Sequence, residues 1–540
     1  MTIPMCKPRH VRNISPGFLQ SIGRQPRNPE GSLAVVEHLG WLAPWMLRDE
    51  VLEQAARLNP VYSYLRSRRL KPTLGASWTL FALKTRGLQE DNYLLEHYLL
   101  PAIVLPLIWR EVEIPPGGSP DDSTLPLCLT EKADQVRKQL VPPKKSDSGM
   151  IRTWGLFFNM PSGEEGRSFK AFNKYGTHQE LSMSAESAWG SLFTSLWLAL
   201  KGIHSQPHIW CSAAYDPQAG VAAVGEVAAK VRTAALMGVK TLYLPILNIT
   251  DYNAYRQKAQ QEDVQVTSKI EVKYIDVVPE VRQDGKPIDG KDVMKPYFNE
   301  LGVPPGSDAR LEDKLHYYNL PELDDKRAID YYWREIIDEV IEALRCKIYE
   351  EERLTSCENG FLDGLVIPVG NERNIVYMSL ATFNPRVCVM IADMHDGGVK
   401  RTVLDVLNRV GVETTACAHH LLQPCVLNVQ QTAPTLRLRE VHVIPLPPAR
   451  DWSYNVLKTL LASNIQKITQ QFRPGCVVYD LTPAFKLISL VLSEFARPGD
   501  WLAYCRHQFL EHTRRIKAGT EVYELWPKNT NGYAKGATTW

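Results

Sequence analysis

The sequence predicts an α/β (mixed α+β) protein with two α/β regions separated by a charged helical stretch. Three observations carry this. Short β-branched runs alternate with amphipathic helical patterns between residues 151 and 250, and again from residue 374 onward. Residues 260–370 are charged, and Asp325–Glu352 places Ile329, Tyr332, Ile336, Ile337, Val340, Ile341 and Leu344 at helical spacing. The length, 540 residues, corresponds to three or four domains of roughly 150 residues.

Composition narrows the function classes. Hydrophobic residues are 44% of the chain and charged residues 23%, as in ordinary globular proteins. A net charge of +2 gives no electrostatic case for coating duplex DNA, for a basic tail or for an acidic disordered region. A small anion in one local pocket stays compatible with it. The ten cysteines include no C-x-x-C pair, and MTIPMCKPRHVRN lacks the apolar core of a signal peptide, so a reduced, cytoplasmic setting is expected. No G-x-x-x-x-G-K-[ST] occurs, which argues against a P-loop ATPase.

Residues 1 to about 110, rich in Leu, Arg and Trp, are expected to be mostly helical, with Trp41, Trp45 and Trp78 in the core. Within them, Leu99–Trp109 is the most membrane-like run. It is broken by Pro101 and Pro106 and is far shorter than the roughly 20 residues needed to span a bilayer. It reads as a buried segment, and no membrane partner is expected. Residues 114–124 and 142–149 are Pro/Gly/Ser-rich breakers.

The next segment carries the first candidate chemistry. In Ser187–Leu200, Trp189, Leu192, Phe193, Leu196 and Leu200 mark an apolar helix face with Ser187 at its N-terminus. Ser187 reads either as a cap or as a nucleophile, because free N–H groups and the positive dipole end there would stabilise an oxyanion. A serine nucleophile needs a base. On a second helix, Gly225–Met237, Lys230 lies on the face of Val227, Val231, Ala234 and Ala235. A lysine there either snorkels to water or is desolvated, and desolvation makes it able to accept a proton near neutrality.

These residues resemble the Lon-type serine peptidases. Ala229–Asn248 (AKVRTAALMGVKTLYLPILN) is similar to the signature around that family's catalytic lysine, with Val221 and Gly225 matching Val and Gly before its helix. Ser187 and Lys230 stand 43 positions apart, about the family's interval, and Thr194 matches a Thr in the serine's helix. The resemblance implies a Ser187–Lys230 dyad, with Ser212 matching the hydroxyl residue that hydrogen-bonds the lysine. Two features depart from the pattern. Ala185-Glu186 replaces the usual Gly-Pro or Gly-Asp, and Trp189 replaces a Gly. Glu186 would pair with Lys230 and keep it protonated until substrate arrives. The family's ATPase motor is absent, which implies an ATP-independent enzyme that cuts a flexible loop or a specific partner protein.

The C-terminal region carries a second pattern. Cys476–Leu481 is a near-continuous apolar strand, as in a parallel sheet. Thr482-Pro483-Ala484-Phe485-Lys486 follows, then the helix Leu487–Ala496. A strand, a hydroxyl-bearing turn and a helix with Lys in its first turn suit a phosphate, although an ordinary βα turn with a solvated lysine has the same pattern. Upstream, strand Val387–Ala392 leads into Asp393–Thr402 (DMHDGGVKRT) and helix Val399–Asn408.

Over about residues 374–526 this resembles the CARF sensor domains of CRISPR-associated effectors, whose hallmark turn is varied here by Ala484 and Phe485. That resemblance implies a Rossmann-like domain that forms a homodimer and binds a cyclic oligoadenylate, the tetramer by family likeness. It implies Thr482 and Lys486 as phosphate contacts, with Asp393, His395, Gly397, Gly398 and Lys400 contributing from the first loop. The related SAVED sensor, a fused double CARF, would fit residues 270–540.

Two further clusters were weighed. Cys417, His419, His420 and Cys425 could suggest zinc, but Val410–Ala418 and Val426–Val429 read as buried strands, so no metal is expected. Arg437 and His442 have the R-x4-H spacing of HEPN ribonucleases but lie in a strand-like run. Together the expectations are a helical N-terminal region (1–112), a Lon-like peptidase domain (113–255), a helical connector (256–373) and a CARF-like sensor (374–540). Such a chain would be a cyclic-oligoadenylate-activated serine endopeptidase of type III CRISPR antiviral signalling, with no catalytic cofactor, cleaving a protein possibly encoded nearby. The alternatives are a catalytically inactive, nucleotide-controlled binding module and a sensor-coupled nuclease.

Overall fold

The computed structural model describes residues 29, 32, 48–58, 72–82, 100–121, 125, 127–141, 144–145, 150–159, 185–261, 270–276, 289–350, 354, 361–412, 421–429, 436–482, 486–511 and 515–528. Helices and sheets are mixed throughout, as the α/β class requires. The chain divides into two compact units, Met1–Pro304 and Pro305–Trp540. Among the described residues no helix is long and apolar enough to cross a membrane.

In the first unit the elements run α1 (Asp49–Ala56), β1 (Thr73–Leu74), β2 (Ala76–Ala82), β3 (Ala102–Ile114), α2 (Leu127–Leu140), β4 (Lys144–Lys145) and β5 (Ile151–Phe158). After a 3-10 turn at Glu186–Ala188 come α3 (Trp189–Leu200), β6 (His204–Ser205), β7 (Ile209–Cys211), β8 (Ala214–Asp216) and β9 (Gly220–Ala222). The unit ends with α4 (Val227–Leu236), β10 (Thr241–Pro245), α5 (Ile249–Gln261), β11 (Glu271–Ile275), α6 (Gly290–Leu301) and β12 (Gly302–Val303).

Strands β2, β3, β5 and β4 form an antiparallel sheet in that order, with Ala76 opposite Ile108 and Leu107 opposite Phe158. The Leu99–Trp109 run supplies most of β3, whose first eight residues are buried. Strand β2 alternates as a strand buried on two faces must. Trp78 and Leu80 join the cluster containing Val227 and Val231 of α4, while the Thr79 hydroxyl meets that of Ser191 in α3 at 2.9 Å. Strands β11, β10 and β7 make a parallel sheet with α4 and α5 as crossovers, and β8 and β9 form a hairpin. Helix α3 is buried at every residue except Leu200. Its hydroxyls can be inside because each is bonded: Ser191 to Ala188 O, Thr194 to Gly190 O and Ser195 to Leu192 O.

The second unit contains α7 (Leu311–Tyr318), α8 (Asp325–Tyr331), a π-helical turn (Tyr332–Ile336), α9 (Ile337–Glu350), β13 (Gly364–Val369), α10 (Arg373–Phe383), β14 (Val387–Ala392) and α11 (Gly397–Arg409). Strands β15 (Cys425–Asn428) and β16 (Glu440–Pro445), α12 (Tyr454–Thr469), β17 (Val477–Asp480), α13 (Lys486–Phe495), β18 (Trp501–Arg506) and β19 (Val522–Pro527) follow. One sheet has the order β15-β16-β14-β13-β17-β18-β19, parallel from β16 to β18 with an antiparallel strand at each edge. This is a doubly wound, Rossmann-like order, and its direction of winding reverses between β13 and β17. Val366, Val389, Ile391 and Tyr479 pack one face of the sheet against Leu457, Leu461 and Ile465 of α12 and Val491 and Leu492 of α13.

Several expectations are corrected. Thr73–Leu74, Ala76–Ala82 and Ala102–Ile114 are strands, so the described part of the first 112 residues is more strand than helix, and the expected boundary at 112/113 cuts through β3. Trp78 is in the core, while Trp41 and Trp45 lie outside the described residues. The expected 256–373 connector is divided at Pro304, with α5, β11 and α6 in the first unit and α7–α9 in the second. Strand β13 lies inside the same range, yet it is central to the second sheet. Its Pro368 is tolerated because the ladder to β17 ends at Val366. In the 325–350 helix Ile329 is 38% exposed while the later apolar positions are buried, because the π turn inserts an extra residue and rotates the face. Val410–Val412 close α11 rather than begin a strand, and β15 is a half-exposed edge strand. Cys417, His419 and His420 lie outside the described residues.

Gly190 lets α3 approach the segment after β7. A Cβ there would lie 2.7 Å from Cys211 Sγ and 2.9 Å from Ala213 Cβ. Gly190→Ala should therefore cost about 1–3 kcal/mol by overpacking, read as a lowered Tm in thermal unfolding. Gly225→Ala, whose Cβ would meet nothing within 4 Å, should stay within about 0.5 kcal/mol of the parent.

Candidate active site and anion crevice

Ser187 occupies the 3-10 turn that leads into α3. It is 8% exposed, and its hydroxyl donates to the Leu80 carbonyl of β2 at 3.3 Å. The turn is held from outside by Lys132 of α2, whose ammonium meets the Glu186 carboxylate at 2.6 Å. Glu186 is therefore the partner of Lys132, and the expected Glu186–Lys230 pair is not formed. The N–H groups expected to bind an oxyanion are committed to carbonyls. Ala188 N–H bonds to Ala185 O at 3.0 Å, Trp189 N–H to Glu186 O, and Gly190 N–H to Ala213 O at 3.0 Å. Trp189, the departure from the family pattern, is a core residue. Its ring stacks on Tyr215 at 4.5 Å, and its Nε1 donates to Gln139 Oε1 at 3.0 Å.

Lys230 is where its spacing predicts, on the inner face of α4, and only 1% exposed. Its ammonium has no hydrogen bond or ion pair among the described residues. Burial lowers its pKa from 10.5 to about 8, opposed by the nearby charge of Glu226. Glu226 itself stands in the left-handed region at φ 55°, an unusual conformation for a residue with a side chain, at the N-terminus of the lysine helix. Ser212 is completely buried with its hydroxyl unbonded, and its N–H is held by Tyr243 O at 3.0 Å.

The serine turn and the lysine helix both pack on β2, and the segment after β7 that carries Ser212 bonds the start of α3. Leu80 accepts the Ser187 hydroxyl on its carbonyl, and its side chain shares a cluster with Val227 and Val231, which bracket Lys230, and with Ala214. Ala213, next to Ser212, accepts the Gly190 N–H of the serine's helix. No hydrogen bond joins Ser187, Ser212 and Lys230 to one another. Asn248 is the residue whose role the sequence alone does not reveal. Its side chain accepts from Val224 N–H at 2.9 Å and donates to Val224 O at 2.8 Å, pinning the loop that leads to Lys230.

In the second unit the expected sensor residues gather at the carboxyl ends of β14 and β17, on either side of β13. This is the crevice where open α/β sheets bind ligands. Lys486 opens α13, and His395 and Lys400 lie in or just after the β14 loop. None of these three side chains has a hydrogen bond or ion pair among the described residues. Others are occupied. Asp393 accepts from His395 N–H at 3.0 Å. Asp396 caps α11, accepting from Gly398 N–H at 2.7 Å and Val399 N–H at 3.2 Å, so the helix end already holds a carboxylate. Gly397 has open space around it, whereas a Cβ on Gly398 would lie 2.6 Å from Asn371 Oδ1 in the loop after β13. The Thr482 hydroxyl donates to Asp480 Oδ1 at 2.5 Å and accepts from Cys505 N–H at 2.6 Å, so in this structure it is not offered to a phosphate. Residues 483–485 lie outside the described residues.

No protein-family model and no curated protein matches the chain.

The buried lysine makes stability depend on pH. The unfolded chain keeps the Lys230 proton up to about pH 10.5, while the folded chain releases it near 8. Between those values the unfolded state binds more protons, so stability rises with pH. In Lys230→Met that rise, on the order of 3 kcal/mol, should be missing from denaturant unfolding measured at pH 7 and pH 10.5. Asn248→Leu should cost about 1–3 kcal/mol by leaving both Val224 backbone groups buried and unpaired, measured in the same way.

Proposed function

We propose that the chain is a signal-gated serine endopeptidase in which Ser187 is the nucleophile and Lys230 its base. The observation that carries this is Lys230: an amine 1% exposed, without an ion pair among the described residues and with its pKa lowered to about 8, on a helix packed against the strand that holds the serine hydroxyl. As a neutral amine it takes the Ser187 proton while Oγ attacks a peptide carbonyl. The resulting ammonium then protonates the departing amine, leaving an acyl-enzyme. A water, deprotonated by the same amine, attacks the ester and restores Ser187. Ser212, with a free buried hydroxyl, orients the amine.

The serine turn here is a resting state. Activity requires Ser187 to leave Leu80 O and the first N–H groups of α3 to turn toward substrate. In this reading the trigger is a cyclic oligoadenylate, the tetramer by resemblance, bound in the crevice of the second unit. Lys486, Lys400 and His395 are its anion contacts. Ligand can open the site only by preferring the open conformation. The enzyme then acts in the cytoplasm as a homodimer, cuts a specific protein, and serves as an ancillary effector of type III CRISPR signalling. The commitment of the Ala188, Trp189 and Gly190 N–H groups to carbonyls favours a second reading, an inactive peptidase fold that acts as a nucleotide-controlled binding module.

Incubation with proteins encoded by neighbouring genes, with and without cyclic tetraadenylate, separates the two. Cleavage should require ligand and should fall at least about 1,000-fold in Ser187→Ala and in Lys230→Ala. Its rate should rise with pH through about 8, as the Lys230 amine loses its proton. Ligand binding without cleavage would support the binding module, and RNA cleavage that survives both substitutions would support a nuclease.

A further inference from the structure

We infer that Thr482 is a positioning residue rather than a phosphate contact, and that a buried chain of hydroxyls running from Tyr523 through Ser379 to Asp480 presets the turn that carries Lys486. The inference rests on the sensor reading for what the turn binds, but not for how the turn is held.

Asp480, the last residue of β17, has no exposed surface. Its Oδ1 accepts both the N–H of Thr482, at 2.9 Å, and the Thr482 hydroxyl. Its Oδ2 accepts the hydroxyl of Ser379, in the middle of α10. Ser379 has one hydrogen, and Asp480 takes it. The contact between Ser379 Oγ and the Tyr523 hydroxyl of β19 must therefore be donated by Tyr523. Donation thus runs in one direction, from Tyr523 to Ser379 to Asp480. On the other side, Thr482 Oγ1 accepts the N–H of Cys505 in β18. Three elements, α10, β18 and β19, therefore close on the two residues that start the turn.

This arrangement leaves Thr482 no hydrogen to give a ligand. Its single hydroxyl hydrogen is on Asp480 and its oxygen faces the Cys505 N–H. A phosphate could take that hydrogen only by breaking the bond to the buried Asp480 carboxylate. What the network offers instead is a fixed end to β17 at Asp480 and Thr482, four residues before Lys486 opens α13. Preorganisation of this kind raises affinity without adding a contact.

The test uses the full chain, hydrogen-exchange mass spectrometry of the 477–506 region without ligand, and calorimetric binding of cyclic tetraadenylate. Ser379→Ala and Thr482→Val should each speed exchange around Thr482 and Cys505 at least ten-fold and weaken binding at least ten-fold. Thr482→Ser, which keeps the hydroxyl, should behave as the parent in both measurements. Lys486→Ala should weaken binding and leave exchange unchanged. Parent-like exchange in Ser379→Ala and Thr482→Val would overturn the inference. So would parent-like exchange in Thr482→Val together with lost binding, which would make Thr482 a contact. If the parent chain does not bind cyclic tetraadenylate, the sensor reading fails, and the exchange result alone still decides how the turn is held.

Discussion

A buried amine with no ion pair among the described residues, carried on the apolar face of α4, is the constraint around which the first unit is arranged. Burying Lys230 is unfavourable, and nothing in its own helix relieves the cost, since Glu226 is the one nearby charge with a resolved effect and it sits at the helix start. The position is enforced by the neighbours. Val227 and Val231 commit the face of α4 to Trp78, Leu80 and Trp210, and Lys230 must go where that face goes. Asn248 fixes the entry to the helix by pairing with both backbone groups of Val224. A buried amine whose pKa is lowered to about 8 is suited to act as a base, and β2, the strand its helix packs against, also holds the Ser187 hydroxyl on Leu80 O.

The serine side shows the opposite economy. Every group that chemistry would use is bonded to something else: the Ser187 hydroxyl to Leu80 O, and the first N–H groups of α3 to Ala185, Glu186 and Ala213. These bonds tie the turn to itself, to β2 and to the segment after β7, so a conformational change has to replace each of them. In the proposed peptidase, a closed serine turn beside the lysine helix would let geometry, and not protonation, prevent activity before the signal arrives. The second unit repeats the pattern of fixed framework and unengaged cation. Asp396 and Thr482 are used internally, while Lys486, Lys400 and His395 remain available at the crevice.

Much of this is legible in the sequence, and the losses have physical causes. Lys230 is found by helical spacing alone, because one apolar face decides its burial. The crevice is found because continuous apolar strands such as Cys476–Leu481 mark a parallel sheet. Strand β2 is missed since its seven residues, ASWTLFA, alternate between two buried faces and show little polar contrast. Strand β13 is missed because it follows directly on the charged helical stretch, and only the sheet register shows it as a central strand in which the absent N–H of Pro368 is harmless. Glu186 is assigned the wrong cation because Lys132 is 54 residues away in sequence, and spacing carries no information about that pair. Which way Thr482 points is decided by Cys505 and Ser379, both remote in sequence.

The most direct measurement is the titration of the Lys230 ε-amine, followed by carbon NMR of lysine-labelled protein and assigned by comparison with Lys230→Met. A buried amine held as described should give a midpoint near 8. A midpoint near the ordinary 10.5 would show a solvated or ion-paired ammonium, and the base on which the account depends would not exist.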